Sequence, residues 1–171
     1  MGAIREAGRA IRFEGAREVC IGREACAGEI TEAVLHADGA SLGNPGPAGA
    51  GFVLETPDGR LISEGSVPLE PTTVNVAEYR ALIAGLSEAQ RLKIRTVHAL
   101  LDSQLIVRQL SGEYRVKAAI LRPLYQWASK LISKFEHFDC RHVPREQNAR
   151  ADELAGEAAK KSKERHGRNG R

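Results

Sequence analysis

The sequence predicts an α/β fold in which a mixed β-sheet carries helices on its faces. Short apolar runs separated by turn residues come first and are typical of an antiparallel meander. Strand-like runs then alternate with segments of helical periodicity, a pattern typical of parallel pairing. The predicted order β-β-β-α-β-α-α-β-α therefore indicates a five-stranded sheet that is antiparallel early and parallel later.

Turn chemistry and apolar runs predict the three strands of the meander. They are expected at residues 33–37, 50–55 and 60–67. Thr56-Pro57-Asp58-Gly59 joins the last two strands, since proline suits the second position of a turn and glycine the fourth. A stretch rich in glycine and proline separates the first two strands, and we expect it to be a long return loop.

The remaining elements follow from helical periodicity and short apolar runs. In the first long helix, residues 75–90, Tyr79, Leu82, Ile83 and Leu86 recur at i, i+3, i+4 and i+7. Pro123 suits the first turn of a second long helix. The other elements are a strand at 96–101, a short helix at 103–110, that long helix at 122–135, a strand at 138–143 and a last helix from 147 to about 160.

Length and charge suggest one domain with two flanking segments. A chain of 171 residues suffices for a single domain, expected at residues 31–159. We interpret residues 1–30 as an N-terminal extension, and their sequence indicates no role. Residues 160–171 hold six Lys or Arg against one Glu. Such a basic tail either adds salt-dependent affinity for nucleic acid or is simply solvated.

Composition also excludes some classes of protein. No run approaches the roughly 18 apolar residues of a membrane span, and glutamates interrupt any signal peptide at the N-terminus. Cys20, Cys26 and Cys140 cannot all pair within the chain, and their spacing does not suit zinc. We therefore expect reduced thiols, a cytoplasmic location and no membrane partner. We also expect a monomer.

Four carboxylates stand at positions that suit a site. Asp38 closes the first predicted strand and Asp102 closes the fourth. Glu78 is expected in the first turn of the first long helix and Asp152 inside the last helix. Each also has a structural explanation. Asp38 precedes a glycine, as in a turn; Glu78 stands three residues after Asn75, as in a capping box; and Asp102 suits an N-cap.

Asp152 is harder to explain by local structure. Its helical neighbours at i−4, i−3, i+3 and i+4 are Asn148, Ala149, Ala155 and Gly156, which would let this face approach another element closely. A lone buried carboxylate costs several kcal/mol unless something compensates it, and a cation is one candidate.

Parallel pairing would bring the strand-end acids together. If the first and fourth strands are parallel neighbours, Asp38 and Asp102 lie side by side beyond their carboxyl ends, where sites form in such sheets. Two carboxylates so close raise each other's pKa unless a cation lies between them. Oxygen ligands favour Mg²⁺ or Mn²⁺ over zinc, so the four acids indicate a hard-cation site for phosphoryl transfer.

Four blocks of the sequence resemble the signature blocks of the type 1 ribonuclease H family. They are "HADGASLGNPGPAGAGFVL", "NVAEYRALIAGL", "LLDSQLIVRQL" and "HVPREQNARADELAGEA". Their order and spacing fit the family over about residues 31–159, and each carries its acid. The resemblance implies a ribonuclease H-like fold, with a five-stranded mixed sheet flanked by helices.

The resemblance also implies an activity and a role for each acid. The family cuts the RNA strand of RNA:DNA hybrids and leaves 5′-phosphate and 3′-hydroxyl ends. By analogy Asp38 bridges two Mg²⁺ ions, for which Mn²⁺ is a possible substitute. Asp152 would hold the ion that activates water. Glu78 and Asp102 would hold the ion at the leaving oxygen, with the two ions roughly 3.5–4 Å apart.

Contacts to the hybrid are implied as well. Asn44, Asn75 and Gln104 match family positions that contact the hybrid, and their amides both donate and accept hydrogen bonds. Gly39 matches a backbone contact to RNA. The alternative for each is a turn or cap residue.

This sequence departs from the family pattern in two places. The family's loop histidine before the last acid is missing, and Arg145 or Glu146 stands nearest to its place; His142 is expected to be a strand residue. The basic protrusion found in some members is also missing.

Two other functions compete with this one. The first is a nuclease of the same fold with a broader substrate, such as double-stranded RNA. The second is a non-catalytic hybrid-binding module, which the presence of all four acids argues against. A fragment of a reverse transcriptase is a further alternative.

Overall fold

The computed structural model describes residues 29–168, and these form a five-stranded mixed sheet with helices on both faces. The strands are β1 Glu32–Ser41, β2 Gly46–Glu55, β3 Leu61–Thr72, β4 Thr96–Leu101 and β5 His137–His142. The helices are α1 Val74–Arg91, α2 Gln104–Leu110, α3 Arg122–Ile132 and α4 Ala149–Arg168, with a 3₁₀ turn at Arg145–Asn148. The predicted extension, residues 1–30, lies almost wholly outside the described residues, as do Cys20 and Cys26.

The sheet has the predicted mixed topology, in the order β3-β2-β1-β4-β5. β1 pairs antiparallel with β2, and β2 antiparallel with β3. β1 pairs parallel with β4, and β4 parallel with β5. The predicted turn between β2 and β3 is confirmed, because Gly59 N–H donates to the carbonyl of Thr56 at 2.8 Å.

The glycine-rich stretch is mostly strand, so the expected long return loop is wrong. β1 continues three residues past Asp38 to Ser41, and β2 already begins at Gly46. Glycine has a low strand propensity, which is why the sequence predicts a loop here. Backbone pairing between β1 and β2 nevertheless holds this stretch in strand conformation. Asp38 therefore lies inside β1, although the parallel pairing with β4 ends one residue earlier, at Ala37 and Leu101.

Helix starts also differ from the sequence prediction. Thr73, not Asn75, is the N-cap of α1, and its hydroxyl accepts from Val76 N–H. Glu78 consequently lies in the second turn of α1. Ser103, not Asp102, caps α2. Where several cap-forming side chains stand close together, tertiary packing decides which one caps.

Glycines in the sheet let α1 and α4 approach opposite faces closely. A Cβ on Gly39 would lie 2.1 Å from the backbone nitrogen of Glu78 in α1. A Cβ on Gly51, the β2 partner of Asp38, would lie 2.3 Å from the carbonyl oxygen of Ala151 in α4. Since neighbouring residues of a strand face opposite sides, α1 packs on one face and α4 on the other.

The main core lies between the sheet and α1 and α3. Leu35, Leu82 and Leu86 are fully buried there. α4 extends past the predicted end at residue 160, and its residue Ser162 donates to the carbonyl of Leu69 in β3 at 2.6 Å. Residues 160–168 of the basic tail are thus part of helix α4. Among the residues that the structure describes, no helix is both long and apolar enough to cross a bilayer.

Gly51→Ala should lower the free energy of unfolding by about 1–3 kcal/mol, because the added methyl group must push α4 off the sheet. Gly156→Ala is the matched control in α4, since a Cβ there meets nothing within 4 Å. That change should instead raise the free energy of unfolding by about 0.5–1 kcal/mol through helix propensity. Urea unfolding of both variants measures the effect. Equal stability of the two would contradict the close approach.

Candidate metal and nuclease site

The structure brings the four predicted acids together at one edge of the sheet. Asp38 comes from β1, Asp102 directly follows β4, Glu78 comes from α1 and Asp152 from the first turn of α4. Asp38 interacts electrostatically with both Asp102 and Asp152, and it shares a hydrogen bond with Asp152. Asp102 also acts on Glu78. The cluster therefore joins residues that lie up to 114 positions apart in the sequence.

The acids crowd one another in a partly buried site, and this changes their pKa values. Burial raises the pKa of Asp38 to about 8, and the charges of Asp102 and Asp152 add to the effect. Burial likewise raises the pKa of Glu78 to about 7, against a hydrogen bond from Ser103 that lowers it. A cation among these carboxylates would offset their desolvation and repulsion.

Asn148 and Ser103 hold two of the acids in place, a role that was not predicted from the sequence for either residue. Asn148 is 1% exposed, and its amide donates to Asp102 Oδ1 and to the carbonyl of Ala37, both at 3.0 Å. Ser103 Oγ donates to Glu78 Oε2 at 2.8 Å. The signal for Asn148 was present: it is a polar residue one turn before Asp152. Its hydrogen-bond partners could not be predicted from the sequence, because Ala37 and Asp102 lie in distant parts of the chain.

Arg145 supplies a positive charge at the edge of the cluster. Its Nη2 lies 2.8 Å from Asp152 Oδ1, and this contact raises the pKa of the guanidinium above its usual value. Of the two loop residues predicted from the sequence, Arg145 therefore forms an ion pair with one of the four acids, Asp152. Glu146 is exposed in the same 3₁₀ turn. His142 lies at the end of β5, as expected of a strand residue.

The predicted hybrid-binding residues lie around the acids. Asn75 is exposed in the first turn of α1, and Gln104 is exposed at the start of α2, next to Ser103. Asn44 follows Gly43 in the turn between β1 and β2 and accepts from Val74 N–H at 3.3 Å.

Asn44 and Gly39 have structural explanations of their own. Asn44 takes up one of the free N–H groups at the start of α1, and Gly39 admits the backbone of that helix.

The donor set fits a hard divalent cation. All four side chains offer carboxylate oxygens, the ligands that Mg²⁺ and Mn²⁺ prefer. Burial, with the neighbouring charge of Asp102 as a further cause, raises the pKa values of Asp38 and Glu78, and a bound cation would favour their ionised forms. A mixed sheet with such a cluster at the carboxyl end of a parallel strand defines the class of metal-dependent nucleases with the ribonuclease H fold.

Comparison with known proteins identifies the family. A family model described as reverse transcriptase-like matches residues 36–158, a range that includes all four acids. A ribonuclease H of Idiomarina loihiensis is 35% identical over 73% of this chain and 86% of its own length. The chain belongs to the ribonuclease H family, as its four sequence blocks indicated.

Two further relatives extend the comparison. A bifunctional protein of Mycobacterium tuberculosis is 45% identical, but the matched region covers only 35% of its length, so this chain spans about a third of that relative. The solved N-terminal RNase H domain of the M. tuberculosis protein superposes with a TM-score of 0.77, at 42% identity over 80% of this chain and 99% of that domain. LC11-RNase H1, solved in complex with an RNA/DNA hybrid, superposes with a TM-score of 0.73, at 38% identity over 76% of this chain and 98% of its own.

Asp38→Asn should stabilise the chelator-treated protein, and the gain should grow with pH. The folded-state pKa of Asp38 is about 8 against an ordinary 3.8, so between these values the folded state binds a proton that the unfolded chain lacks. Stability therefore falls as pH rises through this interval, and the penalty is complete above about pH 8. The amide removes this penalty. Above that pH, we expect the variant to exceed the parent by more than about 1 kcal/mol.

Urea unfolding with chelator at several pH values measures this gain. Asp58→Asn is the control, because Asp58 is a fully exposed turn acid whose pKa is lowered, first by a hydrogen bond from Thr56. A stability difference for Asp38→Asn that does not change with pH would contradict the burial of its charge.

Proposed function

We propose that this protein is a ribonuclease H, an endonuclease that hydrolyses the RNA strand of RNA:DNA hybrids and leaves 5′-phosphate and 3′-hydroxyl ends. The observation that carries the proposal is the convergence of Asp38, Glu78, Asp102 and Asp152 in a family of ribonucleases. The hybrid bound to LC11-RNase H1, at 38% identity, supports the choice of substrate.

The four acids would hold two Mg²⁺ ions, with Mn²⁺ as a possible substitute. Bound there, the ions would supply Lewis-acid stabilisation of the phosphoryl charge and lower the pKa of the attacking water. The acids themselves must lose their protons to act as ligands, which the raised pKa values of Asp38 and Glu78 oppose at low pH.

The residues around the acids have supporting roles in this proposal. Asn148 and Ser103 keep Asp102 and Glu78 in fixed orientations, so that little reorganisation is needed when the substrate arrives. Asn75 and Gln104 are exposed beside the acids, where their amides can bond to 2′-hydroxyls or base edges in the wide minor groove of a hybrid. Asn44 and Gly39 would meet the nucleic-acid backbone in addition to their contacts with α1.

Asp102→Asn should reduce Mg²⁺-dependent cleavage of a hybrid by at least about a hundredfold, because several kcal/mol of charge stabilisation are lost. Hybrid binding should be retained, since removing a carboxylate removes no contact to phosphate. Cleavage of an end-labelled hybrid and its binding in Ca²⁺ measure the two effects. Glu157→Gln, which neutralises an exposed acid of α4, is the control.

The same assay separates the competing functions. Cleavage of the hybrid but not of duplex or single-stranded RNA supports the proposal. Equal cleavage of double-stranded RNA would favour the broader nuclease, and hybrid binding without cleavage would favour the binding module. The expected monomer and the cytoplasmic location remain predictions.

Arg145→Ala should lower the Mg²⁺ concentration needed for half-maximal cleavage, because Asp152 would no longer be held in an ion pair. An exposed ion pair contributes about 0.2–1 kcal/mol, so we expect a shift of about 1.5- to 5-fold. Glu146→Ala is the matched control in the same turn. Hybrid cleavage across a Mg²⁺ titration gives both the half-maximal concentration and the turnover. If neither variant changes either quantity, the loop has no role in metal handling or product release.

A further inference from the structure

A second cluster of ligating side chains lies at the starting ends of β4 and β5. It consists of His98, His137 and Asp139, whose ligand atoms all lie within 4.8 Å of one another. His98 pairs with Val34 on one side and with Asp139 on the other, so the cluster occupies the same face of the sheet as Asp38 and α4. Cys140 points the other way and packs against the core.

The cluster is organised around one carboxylate. Nδ1 of His98 contacts Asp139 Oδ2, and Nε2 of His137 lies 3.4 Å from that same oxygen. The two rings are 5.9 Å apart between centroids. Two imidazole nitrogens and a carboxylate oxygen thus converge on a single point.

The hydrogen bonds available within the cluster leave Asp139 incompletely satisfied. Its Oδ1 is buried and has no hydrogen-bond partner, although it forms an ion pair with Arg141 Nε at 3.5 Å. A buried carboxylate oxygen without a hydrogen bond carries a desolvation cost, which an ion pair at 3.5 Å offsets only in part. An ion placed between the carboxylate and the two rings would remove that cost.

Glu32 completes the arrangement from β1. Its Oε1 lies 2.8 Å from Nε2 of His98, the ring nitrogen that faces away from Asp139. A carboxylate on that nitrogen keeps the proton there, so that the lone pair of Nδ1 faces Asp139 and can bind an ion placed between the two side chains. Histidine ligands in metalloproteins commonly have such an outer carboxylate.

We propose that His98, His137 and Asp139 form a binding site for a divalent transition-metal ion such as Zn²⁺, with Glu32 as the outer carboxylate. Imidazole and carboxylate ligands suit Zn²⁺, which takes three protein ligands and a water. Ligand atoms around a tetrahedral Zn²⁺ lie roughly 3.3 Å apart, which matches the 3.4 Å between His137 Nε2 and Asp139 Oδ2, whereas His98 and Asp139 would have to move slightly apart. His98 and Asp139 are each 27% exposed and His137 is 61% exposed, so an ion can enter from solvent.

This site is separate from the four acids. His98 lies four residues before Asp102 along β4, which is roughly 13 Å at the rise of a β-strand. Its ligands include two imidazoles, whereas the acids offer only oxygen. An ion here would join β4 to the edge strand β5 and, through Glu32, to β1, so binding should stabilise the sheet.

Calorimetric titration of the full chain with ZnCl₂ tests the proposal. The protein should carry Cys20→Ser and Cys26→Ser, since thiolates also bind Zn²⁺, and excess Mg²⁺ should be present to compete at the four acids. We expect one Zn²⁺ to bind and the thermal unfolding midpoint to rise. His98→Gln and His137→Gln should each abolish both effects, and Glu32→Gln should weaken binding by about 10- to 100-fold.

Two controls make the result decisive. His142→Gln, an exposed histidine at the far end of β5, should bind Zn²⁺ like the parent. Asp102→Asn should also retain binding. The proposal is overturned if Zn²⁺ does not bind, or if binding survives both His98→Gln and His137→Gln. Loss of binding in Asp102→Asn alone would overturn it too, by placing the ion at the four acids.

Discussion

The parallel pairing of β1 with β4 is the constraint on which the rest of the site depends. It ends at Ala37 and Leu101, so the next residue of each strand is an acid, Asp38 or Asp102. Antiparallel pairing of these strands would put the two acids at opposite ends of the sheet. The parallel register therefore places a second carboxylate beside Asp38, whose charge adds to the effect of burial in raising the pKa of Asp38.

Two glycines bring in the other two acids, one from each side of the sheet. Gly39, next to Asp38, admits α1 on one face and places Glu78 beside the cluster. Gly51, paired with Asp38 in β2, admits α4 on the other face next to Asp152. A side chain at either position would hold its helix away from the sheet and its acid away from Asp38. In both cases the same glycine allows the helix to pack closely on the sheet and its acid to reach the cluster.

The same face of the sheet carries two kinds of polar cluster because α4 covers only part of it. The helix lies across β1, β2 and β3. The starting ends of β4 and β5 therefore keep histidines and acids that a covered sheet would replace with apolar residues. Near the end of β4 the ligands are carboxylates alone, while near its start they are mixed with imidazoles. The two sets suit different cations, since ligand chemistry sets the preference for hard or borderline metals.

Local sequence signals were enough to predict the element order, the mixed topology and the four acids. Hydrophobic periodicity and turn residues are local signals, and the acids stand in four recognisable blocks. Three features depend on tertiary packing and could not be predicted from local sequence: the strand conformation of the glycine-rich stretch, the capping of α1 by Thr73 and the hydrogen bond from Asn148 to Asp102. The contact among Glu32, His98 and Asp139 also depends on tertiary packing, because strand register brings together residues more than 100 positions apart in the sequence. The hydrophobic pattern decides which face of a strand is buried, but parallel strands are joined by a long crossover and have no hairpin turn that fixes which residues pair.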